Sequence, residues 1–328
     1  MSVRTDRHDI TSDPSDDDDR PDATGSGNGF ESDNTAGSEA GRDGVTRRRL
    51  LLGAAAGAGL LGGGGLYVSR SLDGDHGGYT APSNHPVLST RGRVDADDPS
   101  ETTVGTPETE GSWTFDTGDP PFLFVHGFST AAEAARDQAY TAQLGLRAAR
   151  PDEEPTVVAY GWDSDVDWND AKRAADANAD PLADWLIDRV DDGRRPVHLL
   201  GYSLGARVVG ETLRVLADRG RADPVGSISL LGGAIPRESV AHVGRYGPAI
   251  AAIDAPVRNF HSRNDRVLGW VYRAADRTRA VGHDGLRDGA AAPSGYGDVD
   301  VTDLVADHYS YFQPDEGCLP RVVDAIER

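Results

Sequence analysis

The chain has 328 residues, with 54 Asp or Glu against 33 Lys or Arg and a net charge of −21. Its one cysteine, Cys318, excludes a disulfide framework and a thiolate zinc cluster. The acidic balance speaks against nucleic acid as a partner, because neutralising phosphates takes clustered basic residues and none stand out.

Residues 1–45 hold twelve acidic and four basic residues, with Asp16 to Asp19 in a row. So few apolar residues cannot offset the entropy of ordering, and a disordered acidic tail is expected. Thr46-Arg47-Arg48-Arg49-Leu50-Leu51 then opens an uncharged run to Val68 that resembles a twin-arginine export signal. That resemblance implies the twin-arginine export machinery as a partner and an extracellular or cell-surface location. The run 50–68 contains seven glycines, which makes a poor permanent membrane helix, although an uncleaved segment would leave the protein attached through it. The literal G-x-G-x-x-G at Gly57 to Gly62 has no strand before it and reads as part of this core, not as a nucleotide site. Residues 69–111 are polar, rich in Gly, Pro, Ser, Thr and Asp, and read as a linker, so the folded domain is placed at 112–328.

From there strands and helices alternate. A short strand is expected at Trp113 to Phe115 and a buried one at Phe122 to Val125, ending at His126-Gly127-Phe128. A helix is expected from Thr130 to about Ala149, a strand from Thr156 to Tyr160 ending at Gly161-Trp162-Asp163, and a helix capped by Asp180 with Pro181 first. Val197 to Leu200 reads as a strand and leads to Gly201-Tyr202-Ser203-Leu204-Gly205. A helix follows, in which Leu204, Val208, Val209, Leu213 and Leu216 recur at spacings of three and four. Strands at Ser227 to Leu231, Val257 to Phe260 and Val299 to Thr302, a helix around Glu238 to Ile253 and a last helix from Leu319 complete the pattern. Such alternation implies an α/β fold, a mostly parallel sheet with helices on both faces and a site at the carboxyl ends of its strands.

Between strand and helix, Gly201 to Gly205 fits the G-x-S-x-G nucleophile elbow, which pushes a serine out on a strained turn. A serine needs a base, and the base a carboxylate, in the chain order Ser, acid, His. Asp265, after the strand ending at Phe260, is the candidate acid, with Asp303 and Asp307 as rivals. His308, between the last strand and the last helix, is the candidate base; His283 is the alternative, and His261 lies in or at the end of a strand. Backbone N–H groups of Leu204 and Phe128 are the candidate oxyanion donors. His126, Trp162 and Tyr202 are candidate walls of a substrate pocket, and residues 232–256 a candidate lid. Asp163-Ser164-Asp165-Val166-Asp167 starts with calcium-loop spacing, but Trp168 and Ala174 stand where glycine and glutamate belong, so it reads as solvated surface. No metal or cofactor is called for.

The segments VHGF, YGWDSD, GYSLGARVV, RNDRVLGWVYR and VDVTDLVADHYSYF together resemble the α/β-hydrolase superfamily. The last two are similar to lipase-like hydrolases related to transmembrane and coiled-coil domain protein four. The first three are similar to a neighbouring family of uncharacterised esterase-like hydrolases. The resemblance covers about residues 112 to 328 and implies Ser203 as nucleophile, Asp265 as acid and His308 as base. The acidic, nearly lysine-free composition, with Lys172 alone, resembles proteins of salt-loving archaea. The expectation is a serine hydrolase acting on a small ester, thioester or lipid. The alternatives are an amidase or peptidase using the same three residues and a non-catalytic binding protein on the same fold.

Overall fold

A computed structural model describes residues 79–93, 107–114 and 119–327. The expected acidic tail and export segment lie outside the described residues. Among those residues no helix is long and apolar enough to cross a membrane.

Among the described residues, eight strands form one sheet: β1 (Val87–Ser89), β2 (Glu108–Glu110), β3 (Phe122–Val125), β4 (Val157–Gly161), β5 (Val197–Tyr202), β6 (Val225–Leu231), β7 (Val257–His261) and β8 (Tyr296–Asp300). Their order is β2-β1-β4-β3-β5-β6-β7-β8. Only the edge strand β2 runs antiparallel, against β1; every other pairing is parallel. The helices are α1 (Ala132–Ala149), α2 (Trp168–Ala177), α3 (Ala179–Asp191), α4 (Gly205–Asp218), α5 (Gly247–Ala252), α6 (Arg273–Asp276), α7 (Val281–Asp284) and α8 (Leu319–Ile326), with a π-helical turn at Val267–Tyr272 running into α6. The strand order from β4 onward, with a serine elbow between β5 and α4, is that of the α/β-hydrolase fold.

The middle of the sheet is buried on both faces, and for that reason β3, β4 and β6 are largely apolar at consecutive positions. Along β3, Leu123 and Val125 enter one core with Val158, Tyr160 and Leu199, under α2, α3 and α4. Phe122 and Phe124 enter the other with Val157, Ala159 and Leu200, under α1 and α8.

Several boundaries differ from expectation. Residues 69–111 are not all linker, since β1 and β2 lie inside that span and extend the sheet beyond β4. A strand of three residues carries too short an apolar run to register as a pattern, and only its long-range pairing defines it. Trp113 belongs to no strand and packs edge-on against Trp185 at 6.3 Å. Helix α2 was not anticipated, because its buried stripe is the alanines Ala171, Ala174 and Ala175 between charged residues. The helix expected at 238–253 shortens to α5; the preceding residues form a closed loop in which the Tyr246 N–H donates to the Ser239 carbonyl at 2.8 Å.

Candidate active site

The elbow is built by close approach. Helix α4 leaves β5 so sharply that a Cβ on Gly205 would stand 2.1 Å from the Val125 carbonyl oxygen at the end of β3. Only glycine lets the helix start there. Ser203 takes φ +52°, left-handed for a residue with a side chain, and two backbone bonds fix it: its N–H to the Leu231 carbonyl at 3.0 Å, and its carbonyl accepting the Ala234 N–H at 2.9 Å. Strain of this kind persists only where the surroundings over-determine it.

Three side chains from three strand ends meet at this turn. His308 Nε2 lies 2.9 Å from Ser203 Oγ, and His308 Nδ1 lies 2.6 Å from Asp265 Oδ2. With Nδ1–H donated to the carboxylate, Nε2 is left to accept the serine hydroxyl proton. Asp265 is fully buried, and its other oxygen accepts the Leu268 N–H at 2.9 Å. The loops carrying Asp265 and His308 are tied together: Ser262 Oγ donates to the Val305 carbonyl at 2.8 Å, and Asn264 Nδ2 to the Thr302 carbonyl at 2.8 Å.

The loop after β3 faces the serine. A Cβ on Gly127 would come within 2.8 Å of Ser203 Cβ, so this glycine marks where the loop touches the turn of Ser203. Among the described residues, neither the Phe128 N–H nor the Leu204 N–H has an acceptor. Next to Phe128, Ser129 also sits at positive φ, +50°.

His126, Trp162 and Tyr202 do not line the cleft; all three are buried. His126 supports the Phe128 loop from behind. Its Nδ1 pairs with the Gly127 carbonyl at 2.9 Å, and its Nε2 faces the Trp162 N–H at 3.2 Å and the Arg91 guanidinium at 3.1 Å. Burial, and then the Arg91 charge, hold its pKa well below 6.5, so it is a neutral imidazole with Nδ1 as donor. Trp162 stacks on its ring at 5.4 Å and donates Nε1–H to its carbonyl. Tyr202 packs between Phe124, Phe312 and His308 and donates its hydroxyl to the His308 carbonyl at 3.0 Å. An aromatic beside a strand end signals burial as readily as a pocket wall, and here burial wins.

The cleft beside Ser203 is instead walled by Phe128, Trp168, Ala234, Val267, Leu268, Val271, Tyr272 and Ala275. Residues 232–256 give it only Ala234. The covering segment is the π-helical turn and α6, whose apolar residues recur at helical spacing directly after Asp265. That recurrence was readable. Arg91 was not, since it follows a strand too short to notice.

His283 pairs through Nδ1 with Asp284 at 3.0 Å and lines a separate cavity with Gly269, Arg273 and Arg279, making no bond to Ser203. His261 sits at the end of β7 with no hydrogen bond to Ser203. Asp303 is exposed, and Asp307 turns back to accept the Tyr309 N–H and the Ser310 hydroxyl. In the 163–167 segment Ser164 is buried and accepts the Thr130 N–H at 3.1 Å, while Asp163 accepts the Gly92 N–H at 2.7 Å. The segment thus closes on the Phe128 loop and is not simply solvated surface.

Residues 156–323, just over half of the chain, match the family described as protein of unknown function (DUF726). The chain belongs to this family. It is 33% identical over 156 residues to an uncharacterized membrane protein of Schizosaccharomyces pombe, covering 47% of this chain and 19% of that protein. It is 32% identical over 148 residues to the transmembrane and coiled-coil domain-containing protein STS1 of Oryza sativa subsp. japonica, covering 45% and 21%. The chain thus spans about a fifth of the length of these curated relatives. Among solved structures, it is similar to the Bacillus licheniformis lipase BlEst2, with TM-score 0.38 and 16% identity over 63% of this chain and 92% of that one. It is also similar to the type II thioesterase YbtT of yersiniabactin biosynthesis, with TM-score 0.38 and 17% identity over 64% and 94%.

Proposed function

We propose that this DUF726 protein is a serine hydrolase that cleaves an ester or thioester through an acyl-enzyme. The observation that carries the reading is the unbroken line Asp265–His308–Ser203, at 2.6 and 2.9 Å, ending on a serine held at φ +52°. Ser203 Oγ attacks the acyl carbon while His308 Nε2 takes its proton. Asp265 holds the imidazole's tautomer and offsets its developing charge. The carbonyl oxygen becomes an oxyanion facing the Phe128 and Leu204 N–H groups. A pair of preorganised donors of this kind typically contributes about 3 kcal/mol of transition-state stabilisation each. As the tetrahedral species collapses, His308 returns the proton to the departing alkoxide or thiolate. A water molecule, deprotonated by the same imidazole, then attacks the acyl-enzyme, and the acid leaves as Ser203 recovers its proton. The apolar walls of the cleft suit an acyl chain.

The test is labelling of the full chain by a serine-directed fluorophosphonate, beside Ser203→Ala and His308→Ala. Labelling of the native protein that is lost in both variants is expected. A folded native protein that fails to label would sink the reading and favour a binding role for the fold; retained labelling in His308→Ala would remove His308 as base. Twin-arginine export and a high-salt habitat stand as further proposals, supported by residues 46–51 and by the acidic composition. Secretion that is abolished by Arg47→Lys with Arg48→Lys, and a melting temperature that climbs with KCl, are their expected outcomes.

A further inference from the structure

The segment covering the cleft has two unlike sides. Val267, Leu268, Val271, Tyr272 and Ala275 face the cleft beside Ser203. On the same stretch Arg266, Trp270 and Arg273 are exposed, and so is Arg277, which ends α6 at φ +55°. Trp270 is 77% exposed, an unusual position for the largest apolar side chain. Residues 263–279 hold five arginines and two aspartates in a chain whose net charge is −21. Both aspartates are engaged inward: Asp265 by His308, and Asp276 by Trp168 Nε1 at 2.8 Å and Lys172 Nζ at 2.7 Å. Arg263 and Arg279 pair with Asp300 and Asp284, whereas Arg266, Arg273 and Arg277 have no carboxylate partner among the described residues. A basic stripe thus survives on an acidic molecule, beside the mouth of the cleft.

We infer that this stripe docks on the surface of a bilayer containing anionic lipids, bringing the cleft to an ester carried in that bilayer. Charge complementarity selects the anionic surface, since a basic side chain near such a surface contributes roughly fivefold in binding. The exposed indole selects a bilayer over a soluble polyanion, because tryptophan settles at the boundary of headgroups and chains. The ester's position at Ser203 rests on the serine-hydrolase reading; the docking itself does not.

The experiment is co-sedimentation of the full chain with phosphatidylglycerol or phosphatidylcholine vesicles, at the lowest salt that keeps the circular dichroism native. Emission quenching by bromine-labelled phosphatidylglycerol is measured in parallel. All five tryptophans lie at or beyond residue 113, so quenching does not report on the apolar run 50–68. Phosphatidylglycerol binding is expected to fall about a hundredfold in Arg266→Gln/Arg273→Gln/Arg277→Gln, and quenching to disappear in Trp270→Phe. The triple variant should still hydrolyse a soluble short-chain ester. Ser203→Ala should bind vesicles like the native chain, so docking and chemistry can fail separately. Equal binding to both lipids, unchanged binding by the triple variant, or quenching that survives Trp270→Phe would overturn the inference. Binding to a DNA duplex with none to phosphatidylglycerol would overturn it in favour of a polyanion.

Discussion

Tyr202 precedes Ser203 in the elbow, yet its contacts are with His308. Its hydroxyl holds the His308 carbonyl at 3.0 Å, and its ring fills the space beneath the imidazole. Tyr202→Phe keeps the ring and removes the bond, at a cost of about 1 kcal/mol, the usual net value of a buried hydrogen bond. Fully expressed at the reacting geometry, that is about a fivefold fall in labelling or turnover rate with KM unchanged. A KM shift with an unchanged rate would instead make Tyr202 a substrate contact. Gly127→Ala is the harsher change. The added methyl would stand 2.8 Å from Ser203 Cβ, and displacing the serine by about 1 Å is expected to slow acylation about a hundredfold. Labelling kinetics on a protein with native circular dichroism would check it, and near-native labelling would contradict the close contact. At this scale the sequence was informative about order and type. Ser203, Asp265 and His308 could be picked out because an elbow leaves a recognisable pentapeptide and the fold fixes the order of its partners. The orientation of Tyr202 and the burial of His126 could not, because a residue at a strand end points to the cleft or the core according to pleat and register, which a linear pattern does not reveal.

At the scale of elements, the strand missed by sequence reading is the one with a consequence. β1 pairs with β4 and leads directly into Arg91, whose guanidinium donates to the Thr130 carbonyl at 2.6 Å and faces His126 Nε2. An element that looked like linker thus anchors the loop carrying the Phe128 N–H. A fragment starting at residue 112 would leave the β4 edge unpaired and the His126 loop without its arginine. The fragment 79–328 is expected to melt cooperatively, whereas 112–328 should aggregate or melt well below it. Comparing the longer fragment with its Arg91→Ala variant separates the two effects: the variant should melt near the native temperature if the edge strand dominates, and should lose labelling rate if the loop contact matters. A 112–328 fragment as stable as the longer one would show β1 to be dispensable. The helices were more readable where leucine and valine made their stripes, as in α4, than where alanine did, as in α2, since a methyl group contributes little to any periodic signal.

Across the whole molecule, the buried His85 and His126 and the half-buried His198 set how stability depends on pH. Burial first, and then a nearby arginine in each case, lowers His85 to about 4, His198 to about 4 and His126 well below the ordinary 6.5. In the unfolded chain each takes up a proton near 6.5; in the folded protein each resists. The unfolded state therefore binds more protons as pH falls from about 6.5 towards 4, and stability drops over that window by about 1.4 kcal/mol per pH unit for each histidine. Above 6.5 these groups contribute no pH dependence. The carboxylates held low act in a different window. Hydrogen bonds from Arg245, Tyr246 and Arg214 overcome the opposing burial of Glu211 and keep its pKa below 4.5, and Arg221 and Thr302 lower Asp223 and Asp300 below 3.8. Their stabilisation is lost only on further acidification, through those lower values. Denaturant midpoints should thus stay level from about pH 7.5 to about pH 6.5 and fall steadily from there to about pH 4.5, well before the carboxylates protonate. His198 offers the cleanest check, because its Nδ1 meets only the Ser227 hydroxyl, at 2.8 Å, and its ring packs at a tilt against Phe122 at 4.9 Å. His198→Gln should make the decline shallower by one histidine's share. A midpoint that stays level to pH 5 in the native chain would mean that these rings take up protons in the fold, and that the neutral His126 behind the Phe128 loop is wrong as well.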